Sequence, residues 1–132
     1  HIGKNIDYII VDFHGEATSE KMAMGHFLDG KVSLVTGSHT HVPTADCQIL
    51  PNGTAYHTDA GMCGDYDSII GFDKEVAGQN FVNKIRGSKK MSPAEGYATM
   101  CGTYAEFDSQ TGLATKVKAF RFGGRLQESL PE

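Results

Sequence analysis

Three histidines have the types and spacing from which a reactive centre could be built. His39 and His41 stand two apart in Gly37-Ser-His-Thr-His41, and His14 closes the run Asp12-Phe-His14. In extended chain, residues i and i+2 point to one side, with Cα atoms roughly 6–7 Å apart. Two imidazoles so placed can reach one metal ion, or two ions about 3.5–4 Å apart. Imidazole suits zinc, iron, nickel and copper, and manganese where carboxylates share the site. Three histidines alone could also make a catalytic zinc centre. Asp12 shares a strand face with His14. It is a candidate for orienting an imidazole from behind, with an ordinary strand-end charge as the alternative. The chain holds six histidines, and in such a chain a His-x-His pair arises by chance roughly one time in four. Spacing alone is therefore weak, and structural or surface histidines are the competing reading. His1, at a free end, His26, on a helix surface, and His57, in a hairpin strand, read as bystanders.

The elements around the histidines strengthen the case. Asp7-Tyr-Ile-Ile-Val-Asp-Phe13 is β-branched and almost continuously apolar, which predicts a strand buried on both faces. Thr18 or Ser19 is placed to cap a helix, with Glu20 in its first turn. Met22, Ala23, Phe27 and Leu28 form the predicted apolar face, and Asp29-Gly30 ends it. Val32–Thr36 is a second β-type run, followed at once by the His-x-His segment. Strand, helix, strand is a βαβ unit, so the two strands should be parallel. His14, His39 and His41 would then converge at the carboxyl edge of the sheet, where open α/β sheets gather ligands. Beyond Pro43, Gln48–Leu50 and Thr54–Thr58 flank the turn Pro51-Asn52-Gly53 and predict a hairpin. A glycine-rich loop spans Asp59–Gly71. A helix is expected over Lys74–Ile85 on Val76, Phe81, Val82 and Ile85, then a polar linker around Gly87–Pro93. Tyr97–Phe107 and Leu113–Phe122 read as a second hairpin.

Size and composition set outer bounds. With 132 residues the chain is one domain at most. Apolar residues are 39%, charged residues 21%, and the net charge is −4. No basic stripe points to nucleic acid. The longest apolar run, Tyr8–Val11, is far too short to cross a bilayer, so no membrane partner is expected. Cys47, Cys63 and Cys101 are odd in number and widely spaced. That argues against a disulfide framework or a zinc ribbon, fits a reducing cytoplasm, and predicts small buried side chains.

Val11-Asp-Phe-His-Gly-Glu-Ala-Thr-Ser-Glu-Lys21, Gly37-Ser-His-Thr-His-Val-Pro-Thr-Ala-Asp46 and Thr58-Asp-Ala-Gly-Met62 resemble the YmdB family, bacterial calcineurin-like metallophosphoesterases. The likeness runs on through Leu50–Tyr56 and Tyr66–Gly71, and more weakly to about Phe122. It implies an α/β (α+β) fold, a four-layer αββα sandwich with mixed β-sheets. It further implies two divalent or trivalent metal ions, iron or manganese ahead of zinc. His14 and His39 would bind the second ion and His41 the first. The implied reaction is phosphodiester hydrolysis, of 2′,3′-cyclic nucleotides, by a hydroxide bridging the two metals. Family members often form homo-oligomers. The motifs that open a calcineurin-like domain are absent here, and with them the remaining ligands and the general acid. Residues 1–132 are therefore expected to be the C-terminal half of a single metallophosphoesterase domain. That half, lacking its N-terminal partner, would be inactive alone, with an incomplete metal site and no catalytic residue of its own.

Three alternatives accompany this reading. Poly-γ-glutamate synthesis proteins of the CapA type share a strand-end histidine followed by His-x-His, but the Ala17-Thr-Ser-Glu-Lys21 stretch argues against them. Amidohydrolases need further βα units where two hairpins follow here. A non-catalytic metal-binding or assembly module would keep the histidines without turnover.

Overall fold

A computed structural model of the chain describes residues 6–83 and 90–131. Strand β1 (Ile10–His14), helix α1 (Thr18–Leu28) and strand β2 (Leu34–Ser38) form the expected βαβ unit. β1 and β2 are parallel, in a register running from Ile10 opposite Leu34 to His14 opposite Ser38. The hairpin strands β3 (Gln48–Ile49) and β4 (Ala55–His57) follow. Gly53 takes φ +100° in their turn, a conformation open to glycine but strained for other residues. The sheet order is β1-β2-β4-β3, with β4 parallel to β2. The carboxyl ends of β1, β2 and β4 therefore share one edge.

A second sheet holds β5 (Gly64–Asp65), β6 (Ala98–Phe107) and β7 (Ala114–Phe122), all antiparallel; α2 (Lys74–Asn83) lies between β5 and β6 in the chain. Asp108 shapes the β6–β7 turn by accepting the amides of Gln110 and Thr111, each at 2.8 Å. The architecture is mixed α/β, with two sheets and few helices. No helix among the described residues is long and apolar enough to cross a membrane.

The core gathers Val32, Val35, Leu50 and Tyr56, with Ile9, Val11 and Leu28 against them. Thr54 is fully buried there. Its hydroxyl donates to the Val32 carbonyl at 2.7 Å and accepts the Gly30 amide at 2.9 Å. It thus satisfies two backbone groups that could not reach water.

Several expectations are corrected. β1 is not buried on both faces: its residues alternate between exposed and half-buried, and Ile10 is 62% exposed. Thr18 lies inside α1; Ala17 is the cap and offers no side-chain hydrogen bond. The face α1 turns inward carries Lys21 and Gly25, while Met22 and Phe27 are exposed. The reason is local. A Cβ on Gly25 would stand 2.5 Å from the Tyr56 ring, so only a glycine lets helix and sheet approach there. In α2 it is Ala77 that is buried, whereas Phe81 and Val82 are exposed. Of the cysteines only Cys101 is buried; Cys47 is half-buried, Cys63 is exposed, and all are free. His1, Ile85 and the linker segment 87–89 lie outside the described residues.

Candidate metal centre

The shared carboxyl edge collects His14 from β1, the segment Ser38–His41 leaving β2, and Thr58–Gly61 leaving β4. The register places Ser38 beside His14. The Ser38 hydroxyl donates to Asp12 Oδ1 at 3.4 Å, so it accepts from His14 Nδ1 at 3.0 Å. That order of donors puts the His14 proton on Nδ1 and leaves a lone pair on Nε2. His39 Nδ1 stands 3.3 Å from that Nε2, with the two rings edge to face. Asp12 thus acts on His14 through a serine hydroxyl rather than directly.

His41 is placed differently. Its Nδ1 donates to the Ile70 carbonyl at 2.8 Å, which leaves its Nε2 as the free acceptor. The structure therefore brings His14 and His39 together and holds His41 apart on the same edge. Among the described residues, no group of three or more His, Cys, Asp and Glu side chains is arranged to hold a metal ion. The pair nevertheless suits a shared ion. Two nitrogens bound tetrahedrally at 2.0–2.1 Å stand roughly 3.3 Å apart.

The His-x-His segment is not extended, as its spacing led one to expect. His39 has φ 130° and His41 φ 65°; Ile70, whose carbonyl holds His41, has φ 49°. Non-glycine residues rarely adopt positive φ, and a β-branched one is a genuine outlier. Among the described residues, these three are the non-glycine positions with positive φ. Such strain persists only where surrounding structure enforces it, and it concentrates at functional sites.

The enforcing contacts are visible. Asp59, 1% exposed, accepts the Thr40 amide at 2.8 Å and the Lys21 ammonium at 2.8 Å on Oδ2, and the Gly61 amide at 3.0 Å on Oδ1. The His41 carbonyl accepts the Met62 amide at 3.2 Å and the Tyr66 hydroxyl at 3.1 Å. Asp46 accepts the Thr44 and Thr58 hydroxyls, and the Thr44 hydroxyl accepts the Asp59 amide. Burial pushes both carboxyls up. Hydrogen bonds outweigh it and hold Asp46 and Asp59 below the usual carboxylate value, from Thr44 and Thr58 for the first and Lys21, Thr40 and Gly61 for the second.

A carboxylate with a depressed folded pKa adds stability that is whole above its unfolded pKa of about 3.9 and is lost as pH falls through the folded value. The melting temperature should hold between pH 7 and about 5, then fall steeply below about 4. Asp46→Asn should flatten that acid fall. An unchanged acid slope in this variant would assign the loss to other groups.

Several participants escape sequence reasoning. Lys21 and Asp59 lie within the segments singled out above, yet nothing in the sequence pairs them. His57 is fully buried: Nε2 donates to the Thr44 carbonyl at 2.9 Å, and Nδ1 accepts from Thr103 at 2.8 Å. It is a structural histidine joining the two sheets. His26 is exposed on α1, as expected. Beside His41, Val42, Pro43, Tyr66, Leu126 and Arg121 line an open groove of about 380 Å³.

Three comparisons bear on this site. Residues 1–120 match the family described as YmdB-like protein. A Bacillus subtilis protein named 2′,3′-cyclic-nucleotide 2′-phosphodiesterase is 48% identical over 115 residues, 87% of this chain and 43% of that protein. A Mycoplasma pneumoniae protein named putative phosphatase/phosphodiesterase is 41% identical over 119 residues, 89% of this chain and 42% of that protein. The chain thus spans less than half the length of these relatives. Among solved structures, one titled as a novel phosphatase of Mycoplasma pneumoniae superposes with TM-score 0.82 at 39% identity, covering 91% of this chain and 42% of that one.

Proposed function

The chain belongs to the YmdB-like family, and on that premise we propose that it forms part of a calcineurin-like, metal-dependent phosphodiesterase acting on 2′,3′-cyclic nucleotides. The observation that carries the proposal is the 3.3 Å approach of His14 Nε2 to His39 Nδ1, with His14 oriented from behind by Ser38 and Asp12. The names of the Bacillus subtilis and Mycoplasma pneumoniae relatives support the reaction class.

In this reading His14 and His39 hold one ion and His41 the other, with iron or manganese ahead of zinc. Bound metal supplies Lewis acidity toward the phosphoryl oxygens and lowers the pKa of a water nucleophile. The chain's own residues fix where protons sit. Ser38 keeps one on His14 Nδ1, and the Ile70 carbonyl keeps one on His41 Nδ1, so that each Nε2 faces outward as a donor atom. The groove next to His41 offers apolar walls and the Arg121 guanidinium to the organic part of a diester. A cytoplasmic location belongs to the same proposal, supported by three free cysteines. So does a homo-oligomer, supported by exposed apolar side chains such as Phe27 and Phe81.

The test is metal analysis of the intact enzyme of which these residues form part, beside hydrolysis of 2′,3′-cyclic AMP and a chromogenic diester. Bound transition metal with turnover is the expected result. Metal without turnover would return the non-catalytic module, and neither metal nor turnover would sink the proposal.

A further inference from the structure

Beneath the histidines lies an ion pair that the proposed chemistry does not use. Lys21 Nζ and Asp59 Oδ2 are 2.8 Å apart, with both side chains 2% exposed. Removing two charges from water is expensive, and apolar residues of similar volume often serve stability as well or better. The pair therefore calls for another role, and its contacts indicate one.

Lys21 comes from α1 and passes under the ends of the two histidine-bearing strands. Its Cγ would lie 3.7 Å from a Cβ on Gly15, just after His14. Its Cδ would lie 3.0 Å from a Cβ on Gly37, just before Ser38. Asp59 leaves β4 and meets Lys21 there. The same Oδ2 accepts the amide of Thr40, the residue between His39 and His41. Oδ1 accepts the amide of Gly61, whose φ of +81° turns the chain back toward Pro43. One carboxylate thus fixes the midpoint of a segment whose two histidines both have positive φ. An anion alone could grip those amides, but it would be buried without a countercharge. Lys21 supplies that charge and links the grip to α1.

We infer that Lys21 and Asp59 are positioning residues: their ion pair clamps the Thr40 amide and so holds His39 and His41 in the strained backbone that presents their imidazoles at the sheet edge. Both side chains are buried, bonded to each other and, through Asp59, to the Thr40 and Gly61 amides. The inference rests on the ligand reading of His14, His39 and His41, but half of its test needs no metal.

Lys21→Met and Asp59→Asn keep approximate volume and remove one charge each. Leu50→Ala, which empties core at the opposite edge, is the control for a purely structural loss. In both charge variants the ring ¹H–¹⁵N cross-peaks of His39 and His41 should shift in the metal-free protein. Mn²⁺ affinity, measured by calorimetry, should fall about 10- to 100-fold. Leu50→Ala, at an equal loss of melting temperature, should change neither. Folded charge variants with wild-type imidazole peaks and Mn²⁺ affinity within twofold would overturn the inference. Should one variant fail to fold, the other decides by the same criteria. The unmodified protein adds an arm that needs no variant: the Thr40 amide should exchange at least a hundredfold more slowly than an open loop amide, and free exchange would overturn the clamp. If the intact wild-type enzyme binds no Mn²⁺, the proposed function fails, while the imidazole and exchange data still judge the clamp.

Discussion

In the intact enzyme of which these residues form part, His39→Ala should strip one metal ion and lower kcat/KM for diester hydrolysis by at least about a thousandfold, or about 4 kcal/mol of transition-state stabilisation. The magnitude follows from the geometry of the pair. His39 Nδ1 and His14 Nε2 sit 3.3 Å apart, and among the described residues no group of three or more His, Cys, Asp and Glu side chains stands arranged to take over a lost ligand's place. His14→Ala should cost about as much. The double variant should add little, because each single change already disables the shared ion. His41→Ala should act on the other ion and give a comparable loss. His26→Ala, exposed on α1, is the reference and should match wild type in both metal content and rate. Metal content and kcat/KM measured on the same preparations decide the matter, and full activity in any of the three site variants would refute their assignment as ligands.

Gly37→Ala should destabilise the fold by about 3 kcal/mol or more, at or above the upper end of the usual overpacking range. A Cβ at this position would stand 1.9 Å from the Thr58 carbonyl oxygen and 3.0 Å from Lys21 Cδ. The first obstacle is backbone, which cannot rotate aside, so β2 and the segment leaving β4 must separate. That separation would also move Asp59, two links from His39. Urea unfolding should register the loss as a lower midpoint with an unchanged slope. A stability within about 1 kcal/mol of wild type would show that the edge has more slack than the contact implies.

Much of the frame could be read from the chain itself, because it rests on local patterns. Two β-branched runs separated by a helix-length segment yield the parallel pair, and Pro51-Asn52-Gly53 yields the hairpin. Helix α1 shows where such reading fails. Its apolar residues predict one inward face, but Gly25 against Tyr56 and Lys21 against Asp59 impose another. Steric approach and a partner 38 residues away decide the matter, and neither leaves a periodic mark. The histidines were legible as a constellation through their place after strands. Their backbone was not, since alternation in an extended chain says nothing of the positive φ at His39 and His41. His57 was passed over because its anchors become neighbours only in the folded chain: Thr44 through the connection between β2 and β3, and Thr103 through the second sheet.

The hold on His41 has a consequence for how this site tolerates change. Its Nδ1 is fixed by the carbonyl of Ile70, a group that every amino acid carries. An alanine scan would therefore pass over position 70 and credit the orientation of His41 to nothing in particular. The informative edits are those that alter chain length or torsion, such as a one-residue deletion between Ser68 and Phe72, or a bulky residue at Gly71, where φ is +92°. The side chains that matter in this loop are those that hold its trace, such as Ser68, whose hydroxyl accepts the Gly71 amide at 2.9 Å, and Tyr66, whose hydroxyl donates to the His41 carbonyl at 3.1 Å. Insertions and deletions, together with substitutions at the few residues that set the trace, are the changes to which the His41 arm of the site is vulnerable.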